Sequence, residues 1–161
     1  MAVPVAQRIS DRVFNRLQKL TVSGFNVDVS EVLRLPRNSD DFTIKHNQIV
    51  LTEELDISEE LSHPGNPPAT AWVLTFHVRC FVMPSEKDPT GLDELLHYFA
   101  ADVRKVLTTD DQPWHTWGGL AINSTFQTPE RISPSGGAGG VVVPMLVTFR
   151  TDEDDPYTVR G

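Results

Sequence analysis

Two rhythms of hydrophobic residues run along this chain. Between residues 4 and 20, Val5, Ile9, Val13, Leu17 and Leu20 return every three or four positions, and Phe14 widens the stripe. That spacing predicts an amphipathic helix, with Pro4 tolerated in its first turn. Leu92, Leu95, Leu96, Phe99, Val103, Val106 and Leu107 predict a second helix over 90–107. Thr90 with Asp93 resembles a capping box at its start, and Arg104 and Lys105 favour the negative end of its dipole.

The other rhythm has a period of two, the mark of a strand. It runs through F-N-V-D-V-S-E-V-L-R-L at 25–35 and Q-I-V-L-T at 48–52, and most clearly through A-W-V-L-T-F-H-V-R-C-F-V-M at 71–83. There Trp72, Leu74, Phe76, Val78, Cys80 and Val82 share a core face, with Thr75, His77 and Arg79 on the reverse. Residues 119–127 and 140–150 predict the last two strands. Between these elements lie segments expected to be loops: 36–47; 53–70, with five acids and the run H-P-G-N-P-P; and 128–140, which ends in glycines. Strands outnumber helices and often follow one another. The expectation is one α+β domain over 1–161: a mostly antiparallel sheet of four to five strands, two helices packed on one face, and an acidic tail at 151–161.

Composition narrows the class. With 161 residues, 39% hydrophobic and 22% charged, the chain can bury a core without disulfides or metal. A net charge of −8 argues against a protein that grips phosphates through its overall field, but suits one that lets nucleic acid pass without holding it. The single cysteine, Cys80, is expected to be a buried apolar residue in a reducing compartment. The opening M-A-V-P-V-A-Q-R lacks the apolar run of a signal peptide, and no segment has the length of a membrane-spanning helix. Synthesis in the cytoplasm with no membrane partner is the expectation.

Motifs for chemistry are weak. G-G-A-G-G at 136–140 lacks the Lys-Ser/Thr of a phosphate loop and leads into a strand, so a flexible connection explains it better. His46, His63, His77, His97 and His115 show no helical ligand spacing, and no second cysteine assists them. D-E-D-D at 152–155 is half a calcium loop without its glycine and glutamate. No G-x-S-x-G elbow is present. Trp114 and Trp117 have the chemistry to stack on a sugar or base, but beside Gly118 and Gly119 a local hydrophobic cluster is the simpler explanation. No catalytic residue, cofactor or metal is therefore expected.

The closing strand carries Pro144, which fits an edge or a bulge, and runs into four acids. Such an end is expected to control association with other chains. Arg8, Arg12, Arg16 and Lys19 line the polar face of the first helix. They form either a solvated face or a docking stripe for an acidic neighbour.

Three motifs carry a resemblance: W-V-L-T-F-H-V-R-C at 72–80, D-P-T-G-L-D-E-L-L at 88–96 and F-R-T-D-E-D-D-P at 149–156. Together with the leading amphipathic helix they make the chain resemble the tail terminator (tail completion) proteins of long-tailed bacteriophages. The resemblance implies a structural virion protein, not an enzyme. It implies a homo-oligomeric ring, six subunits on the family pattern, in the virion neck at the head-proximal end of the tail tube. There it ends tube polymerisation and meets two partners, the tail tube protein and the head–tail connector or stopper, while DNA passes through the lumen without specific binding. On that expectation Arg8, Arg12, Arg16 and Lys19 of one subunit face Asp152, Asp154 and Asp155 of the next. Exposed pairs of this kind contribute about 0–1 kcal/mol each, so apolar contacts supply most of the binding. The alternatives are another neck or head-completion component, an enzyme using His77 and His115, or a ligand-binding α+β module using the two tryptophans.

Overall fold

The computed structural model describes residues 2–22, 24–35, 42–83, 91–109, 114–134 and 137–160. Helix α1, Val5–Gln18, runs on through a short 3-10 turn at Lys19–Thr21, and α2 spans Leu92–Thr108. Among the described residues seven strands form one sheet: β1 Glu31–Arg34, β2 Gln48–His63, β3 Ala69–Val82, β4 Asn123–Phe126, β5 Glu130–Ile132, β6 Gly139–Asp152 and β7 Asp155–Val159. The sheet order is β1-β2-β3-β6-β4, with β5 and β7 also paired to β6. Every pairing is antiparallel except β1 with β2.

The architecture is therefore α+β, with two helices and a mostly antiparallel sheet. Its strand count exceeds the expected four to five because β5 lies inside the expected glycine-ended loop and β7 inside the expected acidic tail. That tail folds back as a hairpin, with Asp152 opposite Asp155 and Thr151 opposite Val159. The expected helix start at Thr90, residues 88 and 89, residues 36–41 and Gly136 fall outside the described residues.

Both helices cover one face of the sheet. Val5, Ile9, Val13 and Leu17 of α1 and Leu96, Phe99, Val103, Val106 and Leu107 of α2 are buried in one core. From the sheet that core takes alternate residues, as a period of two requires: Ile49 and Leu51; Leu74, Phe76, Val78 and Cys80; Val141 to Phe149 by twos. The reverse face, with His77, Arg79, Leu146 and Thr148, is only half-buried.

Two expectations about strands are corrected. Residues 25–29 are not in a strand, although Val27 and Val29 do point into the core. The Val27 N–H is instead satisfied by a side chain of α2: Asp102 Oδ2 accepts it at 2.8 Å, and Asp102 Oδ1 accepts from Asn26 Nδ2 at 3.2 Å. A buried donor needs a partner, and a helix carboxylate serves as well as a neighbouring strand. The expected loop at 53–70 is also overturned. β2 continues to His63, β3 begins at Ala69, and only a short turn joins them.

Pro144 lies in the interior strand β6, opposite His77 of β3. Its carbonyl accepts from the Gln127 N–H at 3.0 Å, on the side away from β3. In a strand the N–H and C=O of one residue point to the same side, so the N–H that proline lacks is on that side too. There β4 pairs residues 145–148 and β5 pairs residues 140–142, which leaves a gap at 144. The proline occupies the break in a partner strand, not a sheet edge.

Candidate assembly surfaces

The helix cations expected at an interface divide into two groups. Arg12 donates through Nη1 to the Trp117 carbonyl. Arg16 donates to the Leu107 carbonyl at 2.9 Å, and its guanidinium lies 4.4 Å from the Trp117 ring centroid. The turn they hold is unusual. Trp117 is fully buried at φ 51°, its indole N–H donates to Ser124 Oγ at 2.9 Å, and Gly118 follows at φ 71°. The positive φ favours glycine at 118, and a side chain there would displace the Arg12 guanidinium. Within one chain Arg16 thus joins α1 to the end of α2, and Arg12 joins it to the turn before β4. Arg8 and Lys19 remain exposed on the helix surface.

The acids divide in the same way. Asp152 pairs with Arg160 at 2.8 Å, and Asp155 accepts the Tyr157 N–H at 3.1 Å. Asp154 is exposed at the hairpin turn. Trp117, being core, is removed from any stacking platform, while Trp114 stacks on Phe126 with centroids 5.6 Å apart. His46 Nδ1 accepts the Met83 N–H, His97 approaches Arg131, and His115 meets Trp114 edge-on. His77 sits on the reverse face of the sheet and His115 in the turn before β4. Burial pushes the Cys80 thiol well above its ordinary pKa, which makes it unreactive.

The sequence reading missed a surface on the outer half of β2. β1 pairs with β2 only at residues 48–51, so beyond Leu51 the far side of β2 is an edge among the described residues. Leu55 stands opposite Leu74, and Ile57 opposite Trp72, on the helix-covered face. The helices stop short of them: Leu55 is 44% exposed, Ile57 57% and Leu61 39%. Glu54, Asp56, Glu59 and Glu60 are interleaved, and no Lys or Arg occurs from 46 to 78.

This outer hairpin is braced from the β6–β7 side. Arg150 Nε donates to the Leu61 carbonyl at 3.1 Å, Arg160 Nη1 to the Pro67 carbonyl at 2.6 Å, and the Glu153 N–H to the Pro68 carbonyl at 2.9 Å. Trp72 and Phe149 stack beneath it at 6.4 Å. The signal was present in the sequence as the alternation of Leu55 and Ile57, but five acids in eight residues obscured it.

Among the concave regions of the described residues, two bear on function. On the reverse face a cavity of about 430 Å3 is lined by Phe42, Ile44, Arg79, Phe81, Ile132 and Pro134, with the Arg79 guanidinium 5.4 Å from the Phe42 ring. At the C-terminal ends of the two helices, a cavity of about 270 Å3 is lined by Lys19, Gly24, Phe25, Lys105, Val106 and Thr109. No family model matches this chain, and no curated protein does.

Proposed function

We propose that this chain is a self-assembling structural protein of the tail-terminator type. It forms a ring, six subunits on the family pattern, at the head-proximal end of a phage tail tube, ends tube growth there and joins the tail to the head connector. The observation that supports this reading most is the outer half of β2, an apolar row on a braced sheet edge that the single chain leaves uncovered. Contiguous apolar surface on an edge favours contact with another chain. The three sequence motifs supply the kind of assembly, and the negative net charge lets DNA pass a lumen without sticking. Arg8, Lys19 and Asp154, exposed in one chain, remain candidates for contacts between subunits.

Light scattering over a range of concentrations, with negative-stain imaging of the protein alone and mixed with growing tail tubes, tests this. Annular particles, or tubes capped at one end and limited in length, are expected. A protein that stays monomeric and leaves tube length unchanged overturns the proposal. Copurification with tails that lack heads separates a terminator from a head-completion component.

A second reading, a ligand-binding module, has the reverse-face cavity in its favour. An arginine beside aromatic rings suits a small aromatic carboxylate. Saturable calorimetric binding of such acids, abolished by Arg79→Met, would favour it.

A further inference from the structure

We infer that the outer half of β2 of one subunit docks into the helix-end cavity of a second copy of this chain. The two surfaces match in charge. The hairpin contributes Glu54, Asp56, Glu59 and Glu60 from a stretch with no basic residue. The cavity is lined by two basic residues, Lys19 and Lys105. They also match in apolar character. Phe25 and Val106 line the cavity, and Val22, 66% exposed, stands between Lys19 and Gly24 in the chain. The volume of about 270 Å3 accommodates a branched aliphatic side chain such as that of Ile57.

The geometry of an edge strand explains how one element brings both kinds of contact. Alternate residues point to opposite faces, so Leu55 and Ile57 form one row while Glu54 and Asp56 form the other. A strand entering the cavity meets the flexible four-carbon stems of Lys19 and Lys105. Those stems cover the apolar row, and their ammonium groups reach the acids. The hairpin does not need to order itself on binding, because the β6–β7 hairpin already holds its tip. The entropic cost of docking is correspondingly small.

The contact is head-to-tail, since the hairpin and the helix ends are different surfaces. Contacts of this class close into rings when the rotation per subunit divides a full turn. The inference rests on the ring-forming reading and names the surfaces that build the ring.

Cysteine pairing tests it. The single native thiol, Cys80, is buried and does not compete. In a chain carrying Ile57→Cys and Val22→Cys, oxidation is expected to give a ladder of covalent dimers and higher species, reversed by reductant, while either single variant gives at most dimers. A charge swap gives an independent measure. Lys19→Glu with Lys105→Glu is expected to abolish assembly while the melting curve is retained. Combining it with Asp56→Lys, Glu59→Lys and Glu60→Lys in the same chain is expected to restore assembly.

Rings from the wild type without a ladder, or a bond formed only within monomers, overturn this inference and leave the ring reading standing. Failure of the wild type itself to associate overturns both. Loss of assembly in the lysine variant that the swap does not rescue, with melting curves intact, counts against the docking.

Discussion

The inner and outer halves of the β2–β3 hairpin are made of the same two strands, in one register as far as Ser58, yet they have opposite fates. In the inner half Ile49, Leu51, Phe76 and Val78 lie under the helices and are buried to about the last few square ångströms of their surface. In the outer half Leu55 and Ile57 stand on the same face and are about half exposed. Strand pairing sets which way a side chain points. Burial is then decided by what lies across from it, and the helices reach only part of the face. The difference separates positions that serve folding from positions available to another molecule.

Substitutions along that face sharpen the contrast. Phe76→Ala, in the covered half, is expected to destabilise the monomer by about 3–5 kcal/mol, read from a urea transition. Asp102→Ala is expected to cost about 1–3 kcal/mol, because the Val27 N–H loses its acceptor in the interior. Arg16→Ala, which removes the bond to Leu107 and the guanidinium over Trp117, is expected to cost about 1–2 kcal/mol. Ile57→Ser, in the uncovered half, is expected to leave monomer stability within about 0.5 kcal/mol while lowering self-association strongly. Equal losses of stability for Phe76→Ala and Ile57→Ser would erase the distinction.

The smallest effect concerns pH. The Arg34 guanidinium, 2.8 Å from Asp11, holds that carboxyl below its ordinary pKa. A group lowered in the folded state contributes stability above the unfolded value, about pH 4. That contribution is lost as pH falls through the lowered value. Asp11 is half exposed, so solvent keeps the effect shallow. Asp11→Asn should lower stability slightly at neutral pH and flatten the acid side of the profile, so that variant and wild type converge at low pH.

Much of the fold was legible in the sequence. The stripes from Val5 to Leu20 and from Leu92 to Leu107 became α1 and α2, and the alternation from Trp72 to Val82 became the core face of β3. Other parts misled, for identifiable reasons. Phe25, Val27 and Val29 alternate as a strand does, yet their neighbour is a helix carboxylate that no local pattern reveals. Acids concealed the outer β2, because a sheet edge in water tolerates charges that an interior strand does not. The basic stripe on α1 looked like one surface. Tertiary contacts divide it, since Arg12 and Arg16 find carbonyls about ninety or more positions away in the chain, a separation no periodicity can encode.

The break beside Pro144 has a consequence for how such subunits meet. One margin of the sheet carries the long strand β2; the other is three fragments, β5, β4 and β7, and the first two hand over at the proline. A strand arriving at that second margin finds no continuous ladder to extend. The fold thereby disfavours backbone-to-backbone growth from copy to copy through that side.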